Sequence, residues 1–252
     1  MKISIITAVR NAESQIGVTL RSVREQRGVD IEHIVVDGGS NDRTLEVVRS
    51  LGGHVARVLS EPDDGIYDAF NKGLALVTGE VVAFLNAGDA YTSNSAVATM
   101  HDRLASEALD AVFGDVMIVS GAADERIVRR YRSGKFAPWR LAYGFMPAHP
   151  TLFVCRSVYE RIGHFDTSYE QAGDFEFCVR AFVKHGIRYG YVPEVIVRMP
   201  TGGVSNSGLK SKLINSREMR LACQVNGVRT NRLKLSLRLP IKAIEMLFTR
   251  SW

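Results

Sequence analysis

The fold of this chain is decided by the segment Glu61-Pro-Asp-Asp-Gly-Ile-Tyr-Asp-Ala-Phe-Asn-Lys-Gly73 and by the segment that follows it, Val81-Val-Ala-Phe-Leu-Asn-Ala-Gly-Asp89. Together they predict a polar loop, a short helix, a glycine turn and a buried strand, with an aspartate where the strand ends. Open α/β sheets bind their ligands outside the carboxyl ends of the strands. Asp89 is therefore predicted to lie at a ligand site.

The same alternation of strand and helix precedes this block. Apolar, strand-like runs extend from Lys2 to Val9 and from Ile31 to Asp37, and Ile16, Leu20 and Val23 recur between them at helical spacing. The next predicted elements are a helix capped by Ser40-Asn41-Asp42, a strand from Val55 to Leu59, a helix capped by Asp64 and ended by Gly79, and a strand from Glu80 to Leu85. This pattern predicts an α/β fold with a Rossmann-like, doubly wound, mainly parallel sheet.

After Asp89 the pattern is less regular. It predicts a helix from Ala96 to Leu109, a strand from Ala111 to Val119, a hairpin or loop from Ser120 to Arg132, a strand from Thr151 to Val154, and a helix from Asp174 to His185 with Phe177, Ala181 and Val183 partly inside. The Gly- and Ser-rich stretch from Thr201 to Gly208 is the best boundary in the chain. We therefore expect a first domain over 1–204 and a basic helical C-terminal segment over 205–252.

Composition indicates a soluble protein with a substantial core. Of 252 residues, 46% are hydrophobic and 23% charged, and no apolar run reaches the length of a membrane span. The N-terminus is interpreted as a first strand rather than a signal peptide. Three widely separated cysteines argue against a disulfide framework and favour a reducing, cytoplasmic compartment.

Positive charge is concentrated at the C-terminus. Residues 209–252 contain ten Lys or Arg and two Glu, a net of +8 against +5 for the whole chain, so the preceding 208 residues carry −3. A helical projection of the tail separates an apolar face (Leu233, Leu237, Ile241, Ile244, Phe248) from a basic one (Lys234, Arg238, Lys242), with Pro240 interrupting the helix. The tail favours either peripheral binding to an anionic membrane surface or packing on the first domain or a dimer partner.

Two acids are candidates to contact a ligand at the sheet edge. Asp37 ends the second predicted strand and can accept hydrogen bonds from a base or ribose, while Gly38 and Gly39 allow close approach; capping of the next helix is the other interpretation of this turn. Asp63 is the better ligand candidate of the Asp63-Asp64 pair. Lys72 is a candidate for a phosphate contact, or a solvated helical lysine.

Three further residues are candidates for chemistry. Asp89 is the metal candidate, because Mg²⁺ and Mn²⁺ prefer carboxylate oxygens and a diphosphate can complete the coordination; a structural turn aspartate is the alternative. Asp174 has the position of a general base that deprotonates a hydroxyl, or of a helix N-cap. His149 follows a Gly- and Pro-containing stretch and is a substrate-side candidate.

Several function classes are disfavoured by the absence of their motifs. The first strand is not followed by G-x-G-x-x-G, and no Walker A loop, H-E-x-x-H or G-x-S-x-G motif occurs. A nucleotidyltransferase would need a Gly- and Lys/Arg-rich loop after this strand, which 7–15 does not supply. Nucleic-acid binding ranks last, since the positive charge is confined to the tail and lacks interleaved aromatic residues.

From Lys2 to Gly203 the sequence resembles an inverting, nucleotide-sugar-dependent glycosyltransferase of family 2, with the GT-A fold. It is most similar to small bacterial enzymes that build O-antigen, capsule and exopolysaccharide. The resemblance implies a nucleotide-sugar-binding half over 1–115 and an acceptor-side half over 116–204. It also implies a Mn²⁺ or Mg²⁺ cofactor, a UDP-sugar donor by default, and a glycan or lipid-linked acceptor, with the enzyme on the cytoplasmic face of the inner membrane.

Carried over by position, the resemblance assigns a role to thirteen residues. The implied roles are catalytic base for Asp174, metal ligand for Asp89, donor contacts for Thr7, Val9, Asn11, Asp37, Asp63, Lys72, Asn86 and Gly88, and acceptor-side contacts for Asp115, His149 and Gly203. One position departs from the family, because Gly88 stands where the first of two adjacent aspartates is usual. This departure keeps open a second interpretation, a non-catalytic member that binds a nucleotide or glycan and assists a partner enzyme.

Overall fold

A computed structural model describes residues 1–120, 126–201 and 208–238. Its strands are β1 (Ile3–Val9), β2 (Ile31–Asp37), β3 (Val55–Ser60), β4 (Val81–Phe84), β5 (Ala90–Tyr91), β6 (Ala111–Ser120), β7 (Arg126–Tyr131), β8 (Phe153–Cys155) and β9 (Tyr189–Pro200). Its helices are α1 (Ile16–Arg24), α2 (Thr44–Leu51), α3 (Ile66–Leu74), α4 (Ala96–Ser106), α5 (Arg156–Ile162), α6 (Gly173–Val179), α7 (Gly208–Val225) and α8 (Arg232–Ser236). Short 3₁₀ helices span Pro138–Tyr143 and His149–Thr151, and α6 continues as a π-helical segment, Arg180–Lys184.

In this part of the chain all the strands join one sheet in the order β3-β2-β1-β4-β8-β6-β9-β5, with β7 paired to β6. The first four strands are parallel, as the sequence predicts. The sheet becomes mixed beyond β4, because β8 runs antiparallel to both β4 and β6. The predicted α/β class is confirmed, and the hairpin expected after β6 is formed by β6 and β7.

The central strands are mainly apolar because helices cover both faces of the sheet. Ile6 and Phe84 belong to the core under α3, whereas Ile5 and Ala83, their neighbours along the strands, belong to the core under α4. Successive side chains of a strand point to opposite faces, so a strand covered on both sides favours apolar residues at most positions. This explains why β1 and β4 show runs of hydrophobic residues rather than an alternation.

Gly73 sets how closely α3 approaches the sheet. A Cβ atom at this position would lie 2.6 Å from Cγ2 of Ile6 in β1. A larger residue would push the helix away from β1 and disturb the loop that precedes α3. Gly73 is therefore required by packing, since it lies inside α3 rather than in a turn.

The predicted ends of α3 are wrong on both sides. The helix begins after Gly65, whose φ of 115° suits glycine, and the Gly65 N–H donates to Asp63 Oδ1 at 3.1 Å, so Asp64 is not the cap. It ends at Leu74, five residues before Gly79. Gly79 instead passes close to the start of β1, where a Cβ would meet the backbone of Lys2 at 2.8 Å.

Three details of the second half also differ from expectation. Val183 is exposed rather than partly inside, because the π-helical turn rotates the end of α6. Thr151 belongs to a 3₁₀ helix, and the strand begins at Phe153. The sequence analysis did not predict α5 or the long strand β9.

The C-terminal helices pack on the rest of the fold. In α7, Met219, Ala222 and Cys223 are buried in the same core as Phe70 of α3 and Phe175 of α6. The predicted boundary at 204/205 lies outside the described residues and stays a prediction, as does the tail beyond 238. Among the described residues, no helix is both long and apolar enough to cross a membrane.

A chain of buried polar side chains connects β1, β2 and the turn before β3. Thr7 Oγ1 donates to the Leu85 carbonyl at 2.8 Å and lies 2.9 Å from His33 Nε2, which must therefore be the donor of that second bond. His33 Nδ1 then accepts from His54 Nε2 at 3.1 Å. Burial, with a smaller contribution from His54, lowers the pKa of His33 to about 3.

This neutral, buried ring predicts acid-sensitive stability. Because the folded pKa of His33 is about 3 and the ordinary value is 6.5, the unfolded chain binds the extra proton between these values. The free energy of unfolding is expected to fall as pH decreases through that window, by up to about 1.4 kcal/mol per pH unit from this ring. His33→Gln should make the pH dependence shallower in denaturant titrations at pH 7, 6 and 5.

The matched control is His185→Gln, since His185 is exposed. It should leave the slope of unfolding free energy against pH unchanged. Equal slopes for wild type and His33→Gln would contradict the assignment of the acid sensitivity to His33.

Candidate functional site

The carboxyl ends of β1, β2 and β4 lie side by side at one edge of the sheet. β1 pairs with β2 up to Val9 and Asp37, and with β4 up to Ile6 and Phe84. The chain turns to the other side of β1 when it passes from β3 to β4, so this edge contains the topological switch point. The polar turns that follow these three strands form the donor edge described below.

Asp37 and Asp63 lie in contacting turns of the donor edge. The buried Asp37 carboxylate accepts from Ser60 Oγ at 2.7 Å and from the backbone N–H and hydroxyl of Ser40. The Asp63 carboxylate lies against the Cα of Gly38, where a side chain would collide with it. The glycine after Asp37 is thus what allows the two turns to come together.

Capping of α2 is carried out by Asp42 rather than by Asp37. Asp42 Oδ1 accepts from the N–H of Thr44, the first residue of α2, at 2.9 Å. This hydrogen bond and the one to the Thr44 hydroxyl lower the pKa of Asp42. Asp37 has no such bond to α2 and remains a candidate for the nucleotide.

Asn11 fastens the loop after β1 to the loop after β2. Its Oδ1 accepts from the Asn41 N–H at 2.9 Å, and its own N–H donates to Ser40 Oγ at 2.8 Å. Its φ of 49° is in the left-handed region, which asparagine tolerates better than most residues. The side chains of Thr7 and Val9 are buried behind this loop, so their contact with a nucleotide stays a prediction.

Lys72 is held by the loop before α3. Its Nζ lies 3.0 Å from Glu61, 3.1 Å from Asp68 and 2.7 Å from the Pro62 carbonyl. The hydrogen bond to Glu61 is the largest of the causes that raise the pKa of Lys72. In this arrangement Lys72 closes the 61–68 loop, and its contact with a phosphate stays a prediction.

Thr19 of α1 holds the turn between β4 and β5. Its hydroxyl donates to the Asp89 carbonyl at 2.7 Å and accepts from the Gly88 N–H at 3.0 Å. Gly88 has a φ of 97°, and a Cβ there would lie 3.2 Å from Gln15 Oε1 and 3.3 Å from Pro200 Cγ. An aspartate at this position would be strained and crowded, so the local backbone accounts for the departure from the family pattern.

The turn after β4 contains two side chains with buried oxygen atoms that can bind a cation. Asp89 is 5% exposed, and its burial raises the pKa to about 7 against the opposing effect of the Asn86 N–H. Asn86 Oδ1 is buried and has no hydrogen-bond partner among the described residues. Both are hard oxygen donors, so the turn fits a divalent cation that takes its remaining ligands from a bound diphosphate.

The described residues do not supply a complete metal site by themselves. In residues 1–120, 126–201 and 208–238, no group of three or more His, Cys, Asp or Glu side chains is arranged to hold an ion. The metal role of Asp89 therefore stays a prediction.

Asp174 lies in the first turn of α6, beside a tyrosine from α3. Its Oδ1 accepts from the Phe175 N–H at 2.8 Å and from Tyr67 Oη at 3.3 Å. Gly173 allows this contact, because a Cβ there would lie 2.9 Å from the Tyr67 ring. One carboxylate oxygen is thereby fixed, and the positive end of the helix stabilises the negative charge.

His149 lies between Asp174 and the end of β4. Its ring stacks on Phe70 and Phe84, with 5.6 Å between centroids in each case. Burial lowers the pKa of His149, and the charge of Asp174 opposes this effect. The ring is thus kept neutral beside the Asp174 carboxylate, and Phe84 connects this cluster to the turn that contains Asp89.

The carboxylate of Asp115 is buried and hydrogen-bonded to three groups of the protein. Its carboxylate accepts from Arg130 Nη2, the Ser133 N–H and Tyr191 Oη, each at 2.9 Å. These bonds hold the β6–β7 hairpin against β9, and contact with an acceptor stays a prediction. Gly203, the other acceptor-side candidate, lies outside the described residues.

The structure adds two residues that the sequence analysis did not place in the site. Tyr67 faces α6 from α3. Its place in the 61–73 block was the sequence signal that could have identified it. Thr19 lies in α1, far from every motif, and its role is visible only because α1 packs against the turn after β4. Thr19, unlike Tyr67, is not part of a local sequence pattern.

Comparison with known proteins identifies the family. The model for "Glycosyl transferase family 2" matches residues 4–163. A PGL/p-HBAD biosynthesis glycosyltransferase of Mycobacterium bovis is 27% identical over 253 residues, covering 98% of this chain and 90% of the relative. An uncharacterized glycosyltransferase of Mycobacterium tuberculosis is 33% identical over 184 residues, covering 71% of this chain and 68% of the relative.

Solved structures support the fold. S. aureus TarS 1–349 in complex with UDP-GlcNAc has a TM-score of 0.69 at 18% identity, and the match covers 88% of this chain and 66% of the TarS chain. Mannosyltransferase PcManGT from Pyrobaculum calidifontis, in complex with GDP-Man and Mn²⁺, has a TM-score of 0.60 at 19% identity. This match covers 96% of this chain and 79% of the PcManGT chain. The fold is therefore GT-A, and the chain belongs to glycosyl transferase family 2.

Proposed function

We propose that this glycosyltransferase moves a sugar from a nucleotide-sugar donor, a UDP-sugar by default, to a hydroxyl of a glycan or lipid-linked glycan acceptor. The transfer inverts the configuration at the anomeric carbon and serves surface polysaccharide biosynthesis. The proposal rests mainly on Asp174, whose carboxylate is partly exposed at the start of α6 with one oxygen fixed. TarS and PcManGT, which share the fold, are seen with UDP-GlcNAc and GDP-Man. These two donors differ in their nucleotide, so the choice of UDP has to be tested.

Asp174 is proposed to act as the general base. Oδ1 is held by the Phe175 N–H and the Tyr67 hydroxyl, whereas Oδ2 has no hydrogen bond to the described residues. Oδ2 can therefore accept the proton of an acceptor hydroxyl as that oxygen attacks the anomeric carbon. Attack from the face opposite the departing nucleotide forms one bond while the other breaks, which inverts the configuration.

The donor edge is proposed to hold the nucleotide and its diphosphate. Asp37 and Asp63 offer carboxylate oxygens to a base or ribose, and the turn from Asn86 to Asp89 faces the diphosphate. Asp89 and the Asn86 amide oxygen would hold a Mn²⁺ or Mg²⁺ ion, which when bound neutralises charge on the leaving diphosphate. The neutral His149 ring and the aromatic side chains beneath it would bound the acceptor side and exclude water.

Donor binding provides the first test. The melting temperature should rise with one of UDP-, dTDP- or GDP-sugars in Mn²⁺, and the rise should be lost in EDTA, because Asp89 needs a cation to meet a diphosphate. At a donor concentration of 100 times Kd, the stabilisation amounts to about 2.7 kcal/mol. Asp89→Asn should abolish the metal-dependent part, whereas Asp102→Asn, a matched change at an exposed aspartate of α4, should not.

Two results would contradict this part of the proposal. An equal shift in EDTA and in Mn²⁺ would remove Asp89 from the metal role. Folded protein that shows no shift with any of the three donors would favour the non-catalytic alternative, in which the chain assists a partner enzyme.

The base assignment predicts a separation of binding from catalysis. Asp174→Asn should reduce transfer of labelled sugar to a glycan and lipid extract of the native cells by about 10²–10⁴-fold, the usual contribution of a general base. The donor-induced thermal shift should be unchanged, because Asp174 lies outside the donor edge. Glu170→Gln, an exposed change in the same loop, serves as the control. Transfer at the wild-type rate by Asp174→Asn would refute the assignment.

An anionic membrane surface is proposed as a partner of the C-terminal region, at the cytoplasmic face of the inner membrane. Leu235 docks α8 on the protein, while Leu233 and Leu237 are 70% and 41% exposed. Lys234 lies over the Tyr143 ring, next to Trp139, which is 66% exposed. Exposed apolar side chains beside basic ones suit a surface of anionic lipid.

The prediction that Arg238 belongs to the exposed basic face of the tail is wrong. Its guanidinium is turned inwards and donates to Met219 Sδ and to Ser216 Oγ, and burial lowers its pKa. The described part of the tail therefore both packs on the protein and leaves an apolar face exposed.

Liposome co-sedimentation tests this partner. The protein should pellet with vesicles that contain phosphatidylglycerol and stay in solution with phosphatidylcholine alone. The combined change Trp139→Ala and Leu233→Ser should release it, because both side chains are exposed and apolar. Leu213→Ser, at a residue of α7 that is 72% exposed, is the control. Equal pelleting of wild type and the combined variant would reject the membrane role of this surface.

A further inference from the structure

The segment before the proposed base is held by the C-terminal helix α7. The Glu218 carboxylate accepts three successive backbone N–H groups: Glu170 to Oε1, and Gln171 and Ala172 to Oε2, each at 2.9 Å. Ala172 is the N-cap residue of α6, and Asp174 is the second residue of that helix. One side chain from a distant part of the sequence thus binds the whole backbone segment that leads into the proposed base.

The three N–H groups have no partner within α6 itself. The Phe175 N–H, in the first turn of α6, donates to Asp174 Oδ1, whereas the N–H groups of 170–172 precede that turn and need a partner from elsewhere. Hydrogen bonds to a charged acceptor are stronger than those between neutral groups. Glu218 therefore supplies a charged acceptor to the segment that precedes α6 and sets the direction in which the chain enters the helix.

A second contact joins α7 to the same helix one turn later. Asn226, directly after α7, donates to Glu176 Oε1 at 3.0 Å. Glu176 is buried and accepts from Arg180, whose guanidinium also donates to the carbonyls of Ile162, Gly163 and His164. The body of α6 is therefore held independently of Glu218, which leaves its first turn and the 170–172 segment as the part that depends on Glu218.

We propose that Glu218 is a positioning residue for catalysis: it fixes the 170–172 segment and so the orientation of the Asp174 carboxylate. This inference rests on the proposed role of Asp174 as base. The distance from Asp174 Oδ1 to Tyr67 Oη, 3.3 Å, depends on where the first turn of α6 lies. A misplacement of about 1 Å in a reacting group can cost about 10²-fold in rate.

The test is the pair of variants Glu218→Gln and Glu160→Gln. Glutamine keeps the length of the side chain but places an NH₂ group against backbone N–H donors, so the segment loses part of its hold. Glu218→Gln is expected to reduce kcat about 10–100-fold, with an unchanged KM for the donor and an unchanged donor-induced thermal shift. Glu160→Gln, at an exposed glutamate of α5, should change none of them.

A double-mutant cycle separates positioning from a general loss of structure. If Glu218 acts through the base, Glu218→Gln should have no further effect on the residual rate of Asp174→Asn. If the fold-reductions in rate of the two single variants multiply in the double variant, the proposal is overturned, because Glu218 then acts by another route than the base. If Glu218→Gln does not fold, Glu218→Asp, which keeps the charge but is one methylene shorter, decides by the same measurements.

Different results would overturn the positioning role of Glu218 and the base assignment of Asp174. An unchanged kcat in Glu218→Gln, with Asp174→Asn inactive, would overturn the positioning role alone. Transfer at the wild-type rate by Asp174→Asn would overturn the base assignment and the positioning role with it.

Discussion

The parallel pairing of β1 with β2 on one side and with β4 on the other is the constraint on which the site depends. Parallel pairing makes all three strands end at the same edge, although Val9 lies 28 positions before Asp37, and Asp37 lies 47 positions before Phe84. The turns after Val9, Asp37 and Phe84 are then close enough to form a single polar surface. A register shift of one residue in any of these pairs would exchange the two faces of the strand and bury the wrong side chains.

Carboxylates dominate the donor edge, and the cations of the described structure do not neutralise them. Among the described residues Asp89 has no ion pair, and burial raises its pKa to about 7, while Lys72 is used by Glu61 and Asp68. An edge of this kind would repel a bare diphosphate unless a cation accompanies it. Burial disfavours the charge on Asp89 in the free protein, and the proposed cation would offset that cost when a donor binds.

Helix packing determines the geometry around the proposed base. Tyr67 comes from α3, His149 from a 3₁₀ helix between β7 and β8, and Glu218 from α7, and all three converge on the first turn of α6 or its entry. The hydrogen bonds between Glu218 and the segment that ends at Ala172 make the entry to this turn dependent on α7. In this family member the C-terminal helix is thus part of the support of the site, whether or not the tail beyond it meets a membrane.

Local sequence determined the parallel half of the fold and the order of the polar turns. Strongly apolar runs, helical spacing and glycine turns are short-range signals, and they predicted β1 to β4 and the positions of Asp37, Asp63 and Asp89. Helix ends were predicted less well, because Gly65 and Gly79 act through backbone conformation and through packing on β1. Neither α5 nor β9 has a comparably strong local pattern.

Only the tertiary structure decided which side chains are available and which are used internally. Asp115 and Lys72 were site candidates by their position in the sequence, yet three-dimensional neighbours occupy their hydrogen-bonding atoms. The buried Asp37 carboxylate is likewise bonded to Ser40 and Ser60. Gly88 is explained by a φ of 97° and by contacts with Gln15 and Pro200, which lie far away in the sequence. Thr19 and Glu218 carry no motif at all, because a hydrogen bond between distant segments depends on how the helices pack and leaves no periodic trace in the chain.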